Sequence, residues 1–116
     1  MKEVKAYMRI EFLDSTIRRL EEAGAKDISV TRVDAIDGMA DSEKDTRRWQ
    51  MARKYNETYS SIAKLEIVCL DEQAMKFMRI IKEGGHTGER GDGRVFLSNI
   101  EYGMNIRTGE EGEKAL

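Results

Sequence analysis

The residues with the clearest chemical potential lie in a glycine-rich segment, residues 87–96, with the sequence TGERGDGRVF. Its glycines permit backbone conformations that other residues rarely adopt, so consecutive N–H groups can converge on phosphate oxygens. Arg90 and Arg94 in this segment, and Arg107 further along, add positive charge and forked hydrogen-bond donors. The pattern predicts a phosphate-binding loop.

The motif Gly91-Asp92-Gly93 also suits a plain turn that leads into a strand. On spacing alone, the structural turn and the phosphate loop are equally good interpretations. A phosphate loop needs neighbouring elements that bring further cations to it, whereas a turn does not, so the elements around the loop bear on the choice.

The composition indicates one domain over residues 1–116. A net charge of −2 gives no bulk attraction to nucleic acid, and 36% charged residues suit a well-solvated surface. Cys69 is the only cysteine, which excludes an internal disulfide and favours a reducing compartment. With neither a membrane-length apolar run nor a signal-peptide pattern, we expect a cytoplasmic protein that is not embedded in a membrane.

The first half of the chain reads as strand, helix and strand. Apolar and polar residues alternate over 4–10, which predicts a strand with one buried face. Helical spacing follows over 13–24, with Gly24 as the stop, and residues 28–33 are rich in β-branched side chains.

The second half repeats this order. Residues 62–70 predict a strand, Asp71 is placed to cap a helix that runs to Glu83, and Gly84-Gly85 is placed to end it. Another strand is expected at 95–97. The apolar stripe of this helix is Ala74, Met78 and Ile81, and a short extra strand is expected at 104–107.

Two successive βαβ units predict an α+β, ferredoxin-like fold: an antiparallel sheet with both helices on one face and a long loop between strands 2 and 3. The other face would carry Tyr7, Thr31 and Val33, which are partly apolar. An uncovered, partly apolar face predicts association with other copies of the chain.

Several colinear segments resemble the P-II signalling protein family. The matching segments are MKEVKA at 1–6, LEEAG at 20–24, VTRV at 30–33, AKLEIV at 63–68, the glycine-rich segment at 87–96 and IRTGE at 106–110. The resemblance implies a homotrimer with an adenine nucleotide (ATP, ADP or AMP) in the clefts between subunits, no covalent cofactor, and Mg²⁺ left open. It also implies a regulator rather than an enzyme, which controls a target enzyme or membrane transporter through a long flexible loop at about 37–60; a second loop is expected at about 108–116.

The resemblance also implies which residues contact the nucleotide. Transferred position by position, they are Ser29, Glu66 and Val68 near the base, Thr87, Gly91, Asp92, Gly93 and Arg94 in the phosphate loop, and Arg107 near the phosphates. No catalytic or metal-binding residue is implied.

Other positions depart from the family's pattern. Asn105 replaces the first of two arginines near the phosphates, which predicts weaker binding of a triphosphate. The segment Ala35–Met39 lacks the family's arginine and glutamine, and Ile62 replaces the lysine that pairs with 2-oxoglutarate. Because a dicarboxylate would then be left with unpaired charge, sensing of 2-oxoglutarate is not expected. The tyrosine motif for uridylylation is absent.

The long segment between strands 2 and 3 matches the family poorly but carries a basic, aromatic-bearing patch. The residues of this patch are Arg47, Arg48, Trp49, Arg53 and Tyr55. We expect helical turns within 46–55 and either a partner-docking role, since exposed Trp and Arg are favoured anchors, or a solvated helix with a partly packed Trp.

Three alternatives to a nucleotide-responsive regulator remain open on the sequence. A small phosphatase or nucleotide hydrolase would need Asp92 or His86 as its base. An RNA-binding module would use Tyr7 and Phe96 on the uncovered face, although nucleic acid is not the expected partner. A trimeric scaffold would use the glycine loop as a structural turn only.

Overall fold

The computed structural model describes residues 1–34 and 62–116, and this part of the chain forms one antiparallel sheet covered by two helices. The elements, in chain order, are β1 (Lys2–Arg9), α1 (Leu13–Glu22), β2 (Ser29–Val33), β3 (Ile62–Cys69), α2 (Asp71–Gly85) and β4 (Gly93–Asn99). Short 3-10 turns cover Ile10–Phe12 and Gly112–Ala115.

The strands are ordered β2-β3-β1-β4, and every neighbouring pair is antiparallel. The central strand β1 places Ala6 between Leu65 of β3 and Val95 of β4. Two βαβ units whose helices share one face produce this order, so the predicted ferredoxin-like α+β fold is confirmed. It leaves β2 and β4 as the two edges of the sheet.

The core lies between the sheet and the helices because one side of each central strand is apolar. Val4, Ala6 and Met8 of β1 are at most 2% exposed, and alternate residues of β3 lie beside them. The helices contribute Leu20 from α1 and Phe77 from α2, each at most 1% exposed. Phe77, the largest of these side chains, was absent from the predicted apolar stripe of α2.

The ends of the two helices test the predicted stop and cap signals. Gly24, with φ of +96°, follows the C-cap of α1, so its role as the stop is confirmed. The predicted cap at Asp71 is wrong: Leu70 is the N-cap, with its N–H bonded to Oε1 of Gln73 at 3.2 Å. Asp71 lies one residue inside α2, where its carboxylate pairs at 3.0 Å with the amino group of Met1.

The predicted stop of α2 at Gly84-Gly85 lies inside the helix, which continues through Gly85 before the C-cap His86. A glycine is needed at position 84 because α1 passes close by: a Cβ on this residue would collide with the side chain of Thr16. The glycine therefore serves helix packing rather than termination.

The sheet face turned away from both helices, called the uncovered face below, carries Tyr7, Thr31 and Val33 as predicted. Ile62 is 3% exposed on this face because Tyr7 and Val33 pack against it. Phe96 of β4 is half exposed, and its ring meets that of Tyr7 edge-on with 6.3 Å between centroids.

The extra strand predicted at 104–107 is wrong, since only a single bridge joins Met104 to Glu111. The Asn105 side chain accepts hydrogen bonds from the backbone N–H groups of Arg107 and Thr108, which turns the chain instead of extending it. The predicted helical turns at 46–55 and the basic, aromatic-bearing patch lie outside the described residues.

Candidate functional site

The glycine-rich loop connects α2 to β4 and is organised around the carboxylate of Asp92. That carboxylate accepts hydrogen bonds from the backbone N–H of Thr87 at 2.8 Å and of Gly88 at 3.0 Å, and from the Thr87 hydroxyl. The same hydroxyl accepts the N–H of Glu89 at 3.1 Å. Thr87 and Asp92 are both predicted to contact nucleotide, and in the structure these hydrogen bonds fix the shape of the loop.

Arg9, at the end of β1, holds the same loop from the side. Its Nη2 donates to the carbonyl of Arg90 at 2.7 Å and lies 3.7 Å from the Asp92 carboxylate. Burial acts to raise the pKa of Asp92, but the hydrogen bonds from Thr87 and Gly88 and the charge of Arg9 outweigh it and lower the pKa. Asp92 is therefore an ionised anchor for the loop.

Gly93 is required where the loop enters β4. Its φ is +101°, and a Cβ there would collide with the carbonyl oxygen of Tyr7 on β1. This close approach places the next residue, Arg94, opposite Tyr7 on the uncovered face, where its side chain is exposed. The loop sets the exposed Arg94 beside a glycine backbone, an arrangement that suits an anion, while the Asp92 carboxylate accepts the loop's N–H groups and lies 3.7 Å from Nδ1 of His86.

A second group of predicted residues lines a cavity of about 340 Å³ at the other edge of the sheet. Ser29 of β2 and Glu66 and Val68 of β3 are among the residues that line it. Glu113, Ala115 and Leu116 line it as well, so the C-terminal turn contributes to the wall of this cavity. The size and mixed polarity of its lining suit a small polar ring.

Glu66 is held ionised within this group. Lys64 lies 2.6 Å from its carboxylate, and this hydrogen bond lowers the pKa of Glu66 while it raises the pKa of Lys64. Both residues lie on the uncovered face, since Ser29 pairs with Glu66 and Thr31 with Lys64. Glu66 lines the cavity, whereas Lys64 is opposite Tyr7 on β1, so the pair lies between the cavity and Tyr7.

The structure does not bring the predicted site residues together in one chain. Ser29 lies on the edge strand β2, whereas Arg94 lies on the opposite edge strand β4, with β3 and β1 between them. Arg94 is opposite Tyr7, near the end of β1, while Glu66 is opposite Lys5, closer to its start. We call the two groups the phosphate half-site (Gly91–Arg94) and the base half-site (Ser29, Glu66 and Val68).

Arg107 is exposed and is not among the residues that line the base half-site cavity. It lies in a turn that is closed by the bridge between Met104 and Glu111. The segment that follows this turn, residues 113–116, reaches the base half-site. The segment that carries Arg107 is therefore connected to the base half-site of its own chain.

Some lining residues were missed by sequence reasoning. Lys26, Asp27 and Gln73 line the base half-site cavity, and Arg9 supports the loop. Arg9 could be placed on the uncovered face by its alternation within β1, but its contact with Arg90 spans 81 positions and has no local signal.

Among the side chains of 1–34 and 62–116, no group of His, Cys, Asp and Glu is arranged to hold a metal ion. No helix in that part of the chain is both long and apolar enough to cross a membrane.

Residues 1–110 match the family model described as Nitrogen regulatory protein P-II. Over all of its 116 residues the chain is 33% identical to Nitrogen regulatory protein P-II of Rhizobium meliloti (strain 1021), all of which is covered. It is 34% identical to Nitrogen regulatory protein P-II 2 of Methanothermobacter thermautotrophicus over 97% of that protein. It is also 33% identical to Nitrogen regulatory protein P-II of Pasteurella multocida, again over the full length of both.

Proposed function

Because the chain belongs to the P-II family of nitrogen regulatory proteins, we propose that it is a homotrimeric regulator that binds an adenine nucleotide between its subunits. The nucleotide, ATP, ADP or AMP, would change the affinity of the protein for a target enzyme or membrane transporter in the cytoplasm. Its relatives are named nitrogen regulatory proteins, so the process under control would be nitrogen regulation.

One observation carries this proposal: the phosphate and base half-sites lie on opposite edges of one sheet. A head-to-tail contact between copies sets the β4 edge of one against the β2 edge of the next, and repetition of such a contact can close a ring. Each cleft then combines the phosphate half-site of one copy with the base half-site of its neighbour.

The exposed side chains near these edges support such contacts. Val30 on β2 and Leu97 on β4 are 43% and 39% exposed, and Phe96 and Val68 on the uncovered face are also exposed. Apolar groups on edge strands are usually covered in the working state of a protein.

Within a cleft, the backbone of Gly91–Arg94 and the Arg94 guanidinium would hold the phosphates. Arg107 would add a second cation, and the cavity beside Ser29, Glu66 and Val68 would hold the base. Thr87 and Asp92 would act by keeping the loop in its shape.

The ends of the long segment between β2 and β3 meet beside the phosphate half-site. Val33 pairs with Ile62, and Ile62 pairs with Arg9, whose guanidinium holds the loop at Arg90. A ligand that shifts the loop would therefore act on the point where the long segment leaves and rejoins the sheet. This linkage is how the nucleotide would control target binding.

Sensing of 2-oxoglutarate is not part of this proposal. Ile62, which stands in place of a lysine, is 3% exposed among Tyr7 and Val33. An apolar cluster offers no partner to the carboxylates of 2-oxoglutarate.

The decisive experiment is subunit complementation measured by isothermal titration with ATP, ADP and AMP. Arg94→Ala disables the phosphate half-site and Ser29→Trp fills the base half-site, so neither variant alone should bind. After the two are unfolded and refolded together in equal amounts, about a quarter of the clefts should pair two intact halves and bind normally. Arg79→Ala, which changes an exposed arginine on α2, is the matched control.

Two results would reject the proposal. The first is that the unaltered protein binds none of the nucleotides, in which case a trimeric scaffold becomes the better explanation. The second is that co-refolded variants assemble, as shown by light scattering, but recover no binding, since the half-sites would then not be shared between copies.

A further inference from the structure

Asn105 is the most connected residue of the C-terminal segment. Its Oδ1 accepts the N–H of Arg107 at 3.0 Å and of Thr108 at 3.1 Å, and its carbonyl accepts the N–H of Gly109 at 2.8 Å. Its own N–H donates to the carbonyl of Glu110 at 2.8 Å. The turn that carries Arg107 is thus built around one side chain and its backbone.

The same side chain reaches the wall of the base half-site. Nδ2 of Asn105 donates to the carbonyl of Ala115 at 3.4 Å, and Ala115 lines the cavity together with Glu113 and Leu116. The N–H of Gly112 also donates to the carbonyl of Gly103 at 2.9 Å, which closes the segment at its base. One residue therefore connects the Arg107 turn to the cavity wall.

We propose that Asn105 is the positioning residue of the nucleotide site, which holds the Arg107 turn against the Gly112–Ala115 wall before any ligand binds. The inference rests on the proposed function and makes it more specific. An arginine at this position would contribute a cation, whereas Asn105 contributes a preformed turn. A preformed turn lowers the entropy cost of ordering the site, and this gain is equal for every nucleotide. The absence of a cation weakens binding most for the nucleotide that carries the most phosphates. Compared with an arginine at position 105, Asn105 therefore shifts the preference of the site from ATP toward ADP and AMP.

The test compares Asn105 variants by amide hydrogen exchange without ligand and by titration with AMP, ADP and ATP. Asn105→Ala should raise the exchange of the Arg107 and Thr108 amides by at least about tenfold, because both lose their acceptor. It should also weaken all the nucleotides to a similar extent, by about three- to tenfold. Asn105→Asp keeps the acceptor oxygens but loses the donor to Ala115, so it should protect the turn while it loosens residues 113–116.

Two further variants complete the comparison. Asn105→Arg should strengthen the binding of ATP relative to that of AMP, and it should raise amide hydrogen exchange in the Arg107 turn. Asn99→Ala, which removes an exposed asparagine whose side chain contacts Lys2 on the sheet, should change neither readout.

The outcomes separate this inference from the proposed function. Unchanged amide exchange in Asn105→Ala would overturn the positioning role, whichever nucleotides the variant binds. Raised exchange with unaltered affinities would overturn its role in the nucleotide site. If the unaltered protein bound no nucleotide, the proposed function would fail, and so would the shift in preference toward ADP and AMP, while exchange would still decide whether Asn105 holds the turn.

Discussion

Gly84 of α2 lies directly against Thr16 of α1, so close that a Cβ on the glycine would overlap the threonine hydroxyl. Thr16 is fully buried, and its hydroxyl already donates to the carbonyl of Phe12 at 2.8 Å. The two helices thus meet where one has no side chain and the other has a small one. This contact sets how closely the helices approach each other above the sheet.

Gly84→Ala should destabilise the protein by about 1–3 kcal/mol, although alanine is the better helix former, because the added methyl overpacks this contact. Chemical denaturation measures the change in the free energy of unfolding. Gly85→Ala is the matched control: its Cβ would lie at an ordinary 3.6 Å from the Met8 side chain. Equal losses of unfolding free energy in the two variants would show that the contact with Thr16 does not limit how closely the helices pack.

Phe77→Ala should cost about 3–5 kcal/mol of unfolding free energy, since it empties the centre of the core. Phe77→Leu should cost less because most of the volume is retained. The control is Met75→Ala in the same helix, where the side chain is 52% exposed and a change within about 0.5 kcal/mol is expected. A small effect of Phe77→Ala would contradict the packing described for α2.

The glycine loop should lose stability in acid through Asp92. In the folded protein the pKa of this carboxyl is lowered from its ordinary value of 3.8. The contribution of Asp92 to the stability of the loop is therefore complete above pH 3.8 and is lost as the pH falls through the lower, folded-state pKa. Nuclear magnetic resonance of the Thr87 and Gly88 amides between pH 2 and 6 would follow the transition. Asp92→Asn should abolish it and give raised amide exchange at every pH; a transition that persists in this variant would assign it to another group.

Cys69 should react slowly with thiol reagents in the native protein. Its side chain is buried in the core, and this burial raises the pKa of the thiol. At pH 8, labelling by a chromogenic disulfide should be at least about a hundredfold slower than in urea, because the folded protein leaves Cys69 only 3% exposed. Similar rates in both conditions would show that β3 is open to solvent near Cys69.

The sequence predicted the sheet, α1 and its glycine stop because each depends on a local pattern: alternation in β1 and β3, helical spacing before Gly24, and a backbone angle that glycine adopts easily. Phe77 was also within reach of that reasoning, since it lies three residues after Ala74 and four before Ile81. The helical spacing therefore carries a signal for Phe77 as well.

Other features depend on contacts between distant parts of the chain. The carboxylate of Asp71 pairs with the amino group of Met1 instead of capping α2, and the turn around Asn105 replaces the strand predicted near Met104. The family resemblance named the site residues but could not show that one chain holds them on opposite edges of its sheet. That separation follows only from the strand order.

The two half-sites on opposite edges have a thermodynamic consequence for the proposed regulator. An isolated copy can offer a nucleotide only half of its contacts, so ligand binding and assembly are coupled by mass action. Dilution of the protein should weaken nucleotide binding, and saturating nucleotide should in turn hold the copies together at concentrations where they would otherwise separate. The cellular abundance of the protein would then be a second input, read alongside the concentration of the ligand.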